Sequence, residues 1–62
     1  MKASRMKAAR ALKNLTQRDL AALVGCTEGL VSKIETGRTT AERTLRERIG
    51  CALGIAPWEV GT

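Results

Sequence analysis

Apolar positions along the chain recur at helical rather than strand spacing. Asn14, Gly25, Gly37, Gly54 and Pro57 divide it into four helical segments and a final turn. The first segment runs from about Ala3 to Lys13. Met6 and Ala9 lie i, i+3 apart, Leu12 and Leu15 continue the apolar content, and Lys2, Arg5, Lys7 and Lys13 lie mostly elsewhere. Asn14 suits the left-handed conformation that ends a helix. The second segment opens at Thr16, a good N-cap, with Asp19 placed to return the hydrogen bond of a capping box. Leu20, Ala21 and Val24 form its apolar side, and Gly25 ends it. The third starts at Thr27, another N-cap candidate, and stops near Thr36-Gly37. Its spacing turns Val31 and Ile34 inward and Glu28, Gly29, Ser32 and Lys33 outward. The fourth begins near Thr40, whose hydroxyl can cap Ala41-Glu42-Arg43. Leu45, Ile49, Ala52 and Leu53 give the clearest apolar stripe. Gly50, inside that helix, marks close helix–helix approach, at a cost of about 1 kcal/mol against Ala. Gly54 ends the helix, Ile55 folds back on its last turn, and Pro57 starts a last short helix reaching about Val60.

Segments two and three are short helices joined by a tight turn at Gly25-Cys26-Thr27. Ala21 is small where two helices cross closely, Gly25 sits where the chain needs positive φ, and Val31 and Ile34 are apolar where the second helix docks. Together, residues 17–36 fit a helix-turn-helix.

Leu15-Thr16-Gln17-Arg18-Asp19-Leu20-Ala21 followed by Val24-Gly25 resembles the LTQ-x-x-LA…G signature of the Cro/C1-type (XRE) helix-turn-helix domains. The resemblance continues through Val31 to Arg38 and ends at Ala52-Leu53-Gly54-Ile55, covering about Met6 to Val60. It implies an all-α, compact five-helix, lambda-repressor-like domain that binds operator DNA, usually as a dimer. Base contacts would come from Thr27, Glu28, Gly29, Ser32 and Lys33. DNA-backbone contacts would come from Gln17, Arg18, Arg38, Thr39 and Arg43. Arg10 and Glu35 match an ion pair that ties the first helix to the recognition helix; if partly exposed, such a pair contributes only about 0–1 kcal/mol. Lys33 suits guanine O6/N7. Glu28 departs from the pattern: it either accepts from a cytosine N4, repels other bases, or only favours the helix N-terminus. Gly29 reads little or permits close backbone approach, Leu30 meets a thymine methyl or simply packs, and Leu23 has no assigned role.

Composition narrows the field further. At 62 residues the chain is a single domain (1–62) near the lower size limit for unaided folding. It is 44% apolar but has one Trp, no Tyr and no Phe, which favours helices over a β-sandwich. Eleven Lys and Arg against six Asp and Glu give a net charge of +5. No acidic residue precedes Asp19, while Lys2, Arg5, Lys7, Arg10, Lys13 and Arg18 all do or abut it. That imbalance points to double-stranded DNA first and an acidic membrane surface second, with plain solubilising charge as the bland alternative. With no His, and with Cys26 and Cys51 lacking metal-ligand spacing, neither a metal nor a catalytic nucleophile is expected. The cysteines read as small buried hydrophobes in a reducing cytoplasm. No signal peptide, membrane span, cofactor or small-molecule ligand is implied.

A chain this short has no separate oligomerisation domain, so a homodimer would use the domain itself. Ile55, Trp58 and Val60 are the candidate interface, with Trp58 as a core lid the competing reading. The leading expectation is a Cro-like repressor holding residues 27–35 in the major groove of a pseudo-palindromic operator. The alternative is a protein-interaction module on the same fold, such as an antitoxin or an anti-repressor partner.

Overall fold

The computed structural model describes residues 4–61, so Ala3 and Lys2 lie outside the described residues. Four α-helices follow in order: α1 (Arg5–Leu12), α2 (Gln17–Val24), α3 (Glu28–Glu35) and α4 (Arg43–Leu53), with a 3₁₀ turn at Pro57–Glu59. The expected fifth helix is therefore only this turn. Val60 explains why: it adopts an extended conformation (φ −72°, ψ 122°) and inserts into the core, which stops the helix after three residues.

Local chemistry sets most of the boundaries. Ser4 accepts from the Lys7 N–H and starts α1. Asn14 leaves it with φ 56°. Thr16 and Asp19 close a reciprocal capping box at α2: Asp19 N–H donates to Thr16 Oγ1 and Thr16 N–H to Asp19 Oδ2, both at 3.0 Å. Gly25 ends α2 at φ 78°, and the N–H groups of Gly25 and Cys26 both donate to the Ala21 carbonyl. Thr27 then caps α3 through the Leu30 N–H. Helix α4 starts later than Thr40. Ala41 is buried in the core, so the chain passes through it in non-helical form, and Glu42 takes the N-cap position without a side-chain cap.

One core joins all four helices. Met6, Leu20, Val31, Ile34 and Ile49 are its largest fully buried side chains, each stabilising the fold by about 1.5–3 kcal/mol through burial. Leu12 does not join it and is 85% exposed. At 100° per residue, the position in line with Met6 one turn on is Arg10, not Leu12. Gly50 does mark a close approach, but to the helix's own returning chain: a Cβ there would sit 2.6 Å from the Ile55 carbonyl oxygen. The reading of both cysteines as buried fails for Cys51, which is exposed; Cys26 is half-buried, and both are free thiols.

Arg10 points inward because it has partners there. Its Nε donates to Glu35 Oε2 at 2.7 Å, and a terminal nitrogen donates to the Leu15 carbonyl at 2.7 Å. Gln17 Nε2 donates to Glu35 Oε1 at 3.0 Å. The two charged side chains are only 13% and 3% exposed, so this is a buried pair rather than a surface one. A second tie joins the ends of the chain: Glu59 accepts from the Ala56 N–H and lies 2.8 Å from Arg5 Nε.

Two stability measurements follow. Glu35→Ala strands a buried guanidinium and should cost about 3–5 kcal/mol. A domain of this size has only about 3–9 kcal/mol in total, so urea denaturation should find the variant largely unfolded or close to it. A loss under 1 kcal/mol would show that the pair contributes little. The second concerns Asp19, whose carboxyl lies below its ordinary pKa of 3.8, chiefly through the Thr16 backbone N–H, then the Thr16 side chain, with Arg18 assisting. The cap's contribution is present above that ordinary value and is lost as pH falls through the depressed folded pKa. Asp19→Asn should accordingly flatten part of the acid limb of a circular-dichroism pH titration, and an unchanged limb would contradict this.

Candidate nucleic-acid interface

Helix α3 has two faces. Val31 and Ile34 are fully buried and dock it on the core. Glu28, Gly29 and Lys33 are exposed and Ser32 is half-buried on the other side. Nothing lies within 4 Å of the place a Gly29 side chain would occupy, so the backbone there is open to a ligand's close approach. Among the described residues Lys33 and Glu28 have no ion-pair partner. Thr27 is exposed, with Oγ1 already accepting from Leu30, which leaves its hydroxyl proton as the group it can offer.

The flanks of α3 carry the other predicted contacts. Arg18 is exposed at the start of α2, where the first-turn N–H groups lack intrahelical partners and the helix dipole favours an anion. Gln17 is half-buried with its amide committed to Glu35, so its side chain belongs to the framework as much as to the surface. Beyond α3, Gly37 turns the chain at φ 76°, and the Arg38 N–H returns to the Lys33 carbonyl at 2.9 Å. This hairpin-like exit leaves the Arg38 side chain exposed and Thr39 half-buried. Thr36 completes the exit by donating its hydroxyl to the Ser32 carbonyl. Arg43 is exposed at the start of α4 and lies 4.0 Å from Glu47, a loose i, i+4 pair in solvent. The outward α3 positions thus offer donors and one cation, Lys33, with Glu28 as their one carboxylate, while Arg18, Arg38 and Arg43 are exposed on the neighbouring segments.

The three residues assigned to a dimer contact do not form one patch. Val60 is buried in the core and unavailable. Ile55 lines a groove against α1, whereas Trp58 is 78% exposed and lines a separate cleft with Pro57, Arg43, Arg46 and Glu47. Trp58 is therefore not a core lid. Leu23, left without a role by the sequence, is 63% exposed on α2. The Arg46 Nε, which no sequence pattern singled out, is buried with no hydrogen-bond partner among the described residues.

Among the described residues no three His, Cys, Asp or Glu side chains cluster to hold a metal. Burial pushes the Cys26 thiol above its ordinary pKa of 9.0, away from nucleophilic use. No described helix is long and apolar enough to cross a membrane.

No curated protein and no solved structure matches the chain. A family profile described as a helix-turn-helix domain matches residues 3–60. The capped α2, the glycine turn and the half-docked α3 lie inside that match, and the chain belongs to the helix-turn-helix domain family, an architecture used for DNA binding.

Proposed function

We propose that the protein is a sequence-specific regulator of transcription, a Cro-like repressor that binds double-stranded DNA with α3 in the major groove. The observation that carries this reading is the open outward face of α3, whose inward face is anchored by Val31 and Ile34. Lys33 is the principal base-reading side chain, with guanine O6/N7 its best match. Thr27 and Ser32 bond base edges or phosphate, Glu28 accepts from a cytosine N4, and Gly29 lets the helix backbone approach closely. Arg18, Arg38, Thr39 and Arg43 hold phosphates on either side, with Gln17 contributing its main-chain N–H. Repression follows from occluding polymerase. The reading requires no cofactor and no metal, and it places the protein in the cytoplasm with the DNA. The finer resemblance to Cro/C1-type domains, read from Leu15 to Gly25 and from Val31 to Arg38, supports it.

The dimer part of the proposal rests on Trp58. Its cleft contains both charge signs, Arg43 and Arg46 with Glu47, and a two-fold axis can pair such a patch with itself. Two α3 helices would then reach half-sites about 34 Å apart. A second reading, a protein-interaction module on this fold such as an antitoxin or an anti-repressor partner, is supported by the exposure of Leu23 and Trp58 and by Glu28 and Leu30 on α3. Partner capture without any salt-dependent DNA binding would select it.

Selection of bound sites from random duplex DNA tests the main reading. It should enrich a pseudo-palindromic sequence, and a pool with no preference would overturn it. On an enriched site, Lys33→Ala should lose about 1–3 kcal/mol and relax one base position. Arg38→Ala should weaken all sequences alike and reduce the salt slope by about one phosphate contact. If both bind as tightly as the parent, the docking is wrong. Trp58→Ala should leave binding to an isolated half-site unchanged but remove cooperativity on the full site in a gel-shift titration. Retained cooperativity would place the dimer contact elsewhere.

A further inference from the structure

A groove of about 480 Å³ runs between α1 and the end of α4. Its floor is apolar: Ala8 and Ala9 from one side, Leu53 and Ile55 from the other. Leu12 stands at its wall, 85% exposed, more than any other large hydrophobic side chain described. Arg5 and Lys13 line it as well, and no carboxylate does. None of these residues belongs to the outward face of α3.

We propose that this groove docks an acidic amphipathic helix of a partner protein. Leu12 and Ala8 are i, i+4 neighbours on α1, so a bulky side chain stands one turn from a small one. The alanines let a second helix come close, and Leu12 inserts between that helix's apolar residues, as helix-in-groove recognition requires. Charge selects the occupant. The cations that line the groove are Arg5 at the start of α1 and Lys13 just past its end, and Lys13 is exposed. Arg5 pairs with Glu59 outside the groove lining yet stays 67% exposed. A second copy of this chain would set these cations against themselves. DNA would meet an apolar floor without donors, and a flat membrane would leave the floor unfilled. An apolar ridge flanked by Glu or Asp satisfies both the floor and the cations.

The test uses the full chain and a displayed library of helical peptides. Leucines are fixed at i, i+3, i+4 and i+7, and the other positions are randomised among Glu, Lys, Gln and Ala. Selection should enrich Glu over Lys. A synthetic peptide from the enriched pool should bind at least tenfold more weakly to Leu12→Ser, and measurably more weakly to Lys13→Gln with a reduced salt dependence. Both substitutions are at exposed positions, and unchanged circular-dichroism melts would show that the fold survives. The proposal is overturned if the pool shows no acidic bias, or if Leu12→Ser binds the peptide as tightly as the parent. It is also overturned if no peptide is enriched while phosphatidylglycerol vesicles bind in a Leu12-dependent way, which would make the site a lipid surface. These outcomes are independent of DNA binding, so failure of one reading does not imply failure of the other.

Discussion

One carboxylate ties α3 to two other helices. Glu35 ends α3, and its two oxygens receive Arg10 from α1 and Gln17 from α2. The core beneath α3 is aliphatic, and aliphatic contact is non-directional. Val31 and Ile34 can hold the helix down, but they do not by themselves define its roll. Three hydrogen bonds of defined geometry from two other helices do. The charges are buried, so their attraction is offset by desolvation. In this account the pair's return is the orientation of α3, with net stability secondary, and losing one partner is what is severe.

The same constraint divides labour between the two motif helices. Helix α2 is capped at both ends and buries Leu20, Ala21 and Val24, so it acts as a support. Helix α3 buries only two of its eight residues and leaves the rest to solvent or to the rim of the core. Its outward positions contain a glycine and a glutamate, neither of which improves packing or helix propensity over alanine. A glycine inside a helix costs about 1 kcal/mol against alanine, so Gly29 is poorly explained by monomer stability. That is the physical basis for treating its outer face as a contact surface.

Much of this was legible in the sequence because it depends on local chemistry. Thr16, Thr27, Gly25 and Gly54 act within one turn of themselves, and their roles follow from residue type and spacing. The departures from the sequence pattern share a different cause. Arg10 displaces Leu12 from the inner face because its partners arrive from Leu15 and Glu35. Helix α4 starts late because Ala41 is needed in the core. Val60 leaves the surface and separates Ile55 from Trp58, and Gly50 faces its own chain. Cys51 is exposed despite apolar neighbours. Each depends on where distant segments return, which periodicity does not report. The candidate interface was accessible where exposure follows helical phase, as at Lys33 and Gly29. It was not accessible for Gln17, whose amide is captured across the fold.

In the proposed mode of binding, α3, held by Glu35, enters a duplex by its open face. Amide chemical-shift mapping on titration with a selected DNA site addresses it directly. The largest perturbations are expected from Thr27 to Lys33, with flanking changes at Gln17, Arg18, Arg38 and Thr39 and little change at Ala8, Ala9 and Leu53. Perturbations centred on α1 and the end of α4, with α3 unmoved, would contradict it.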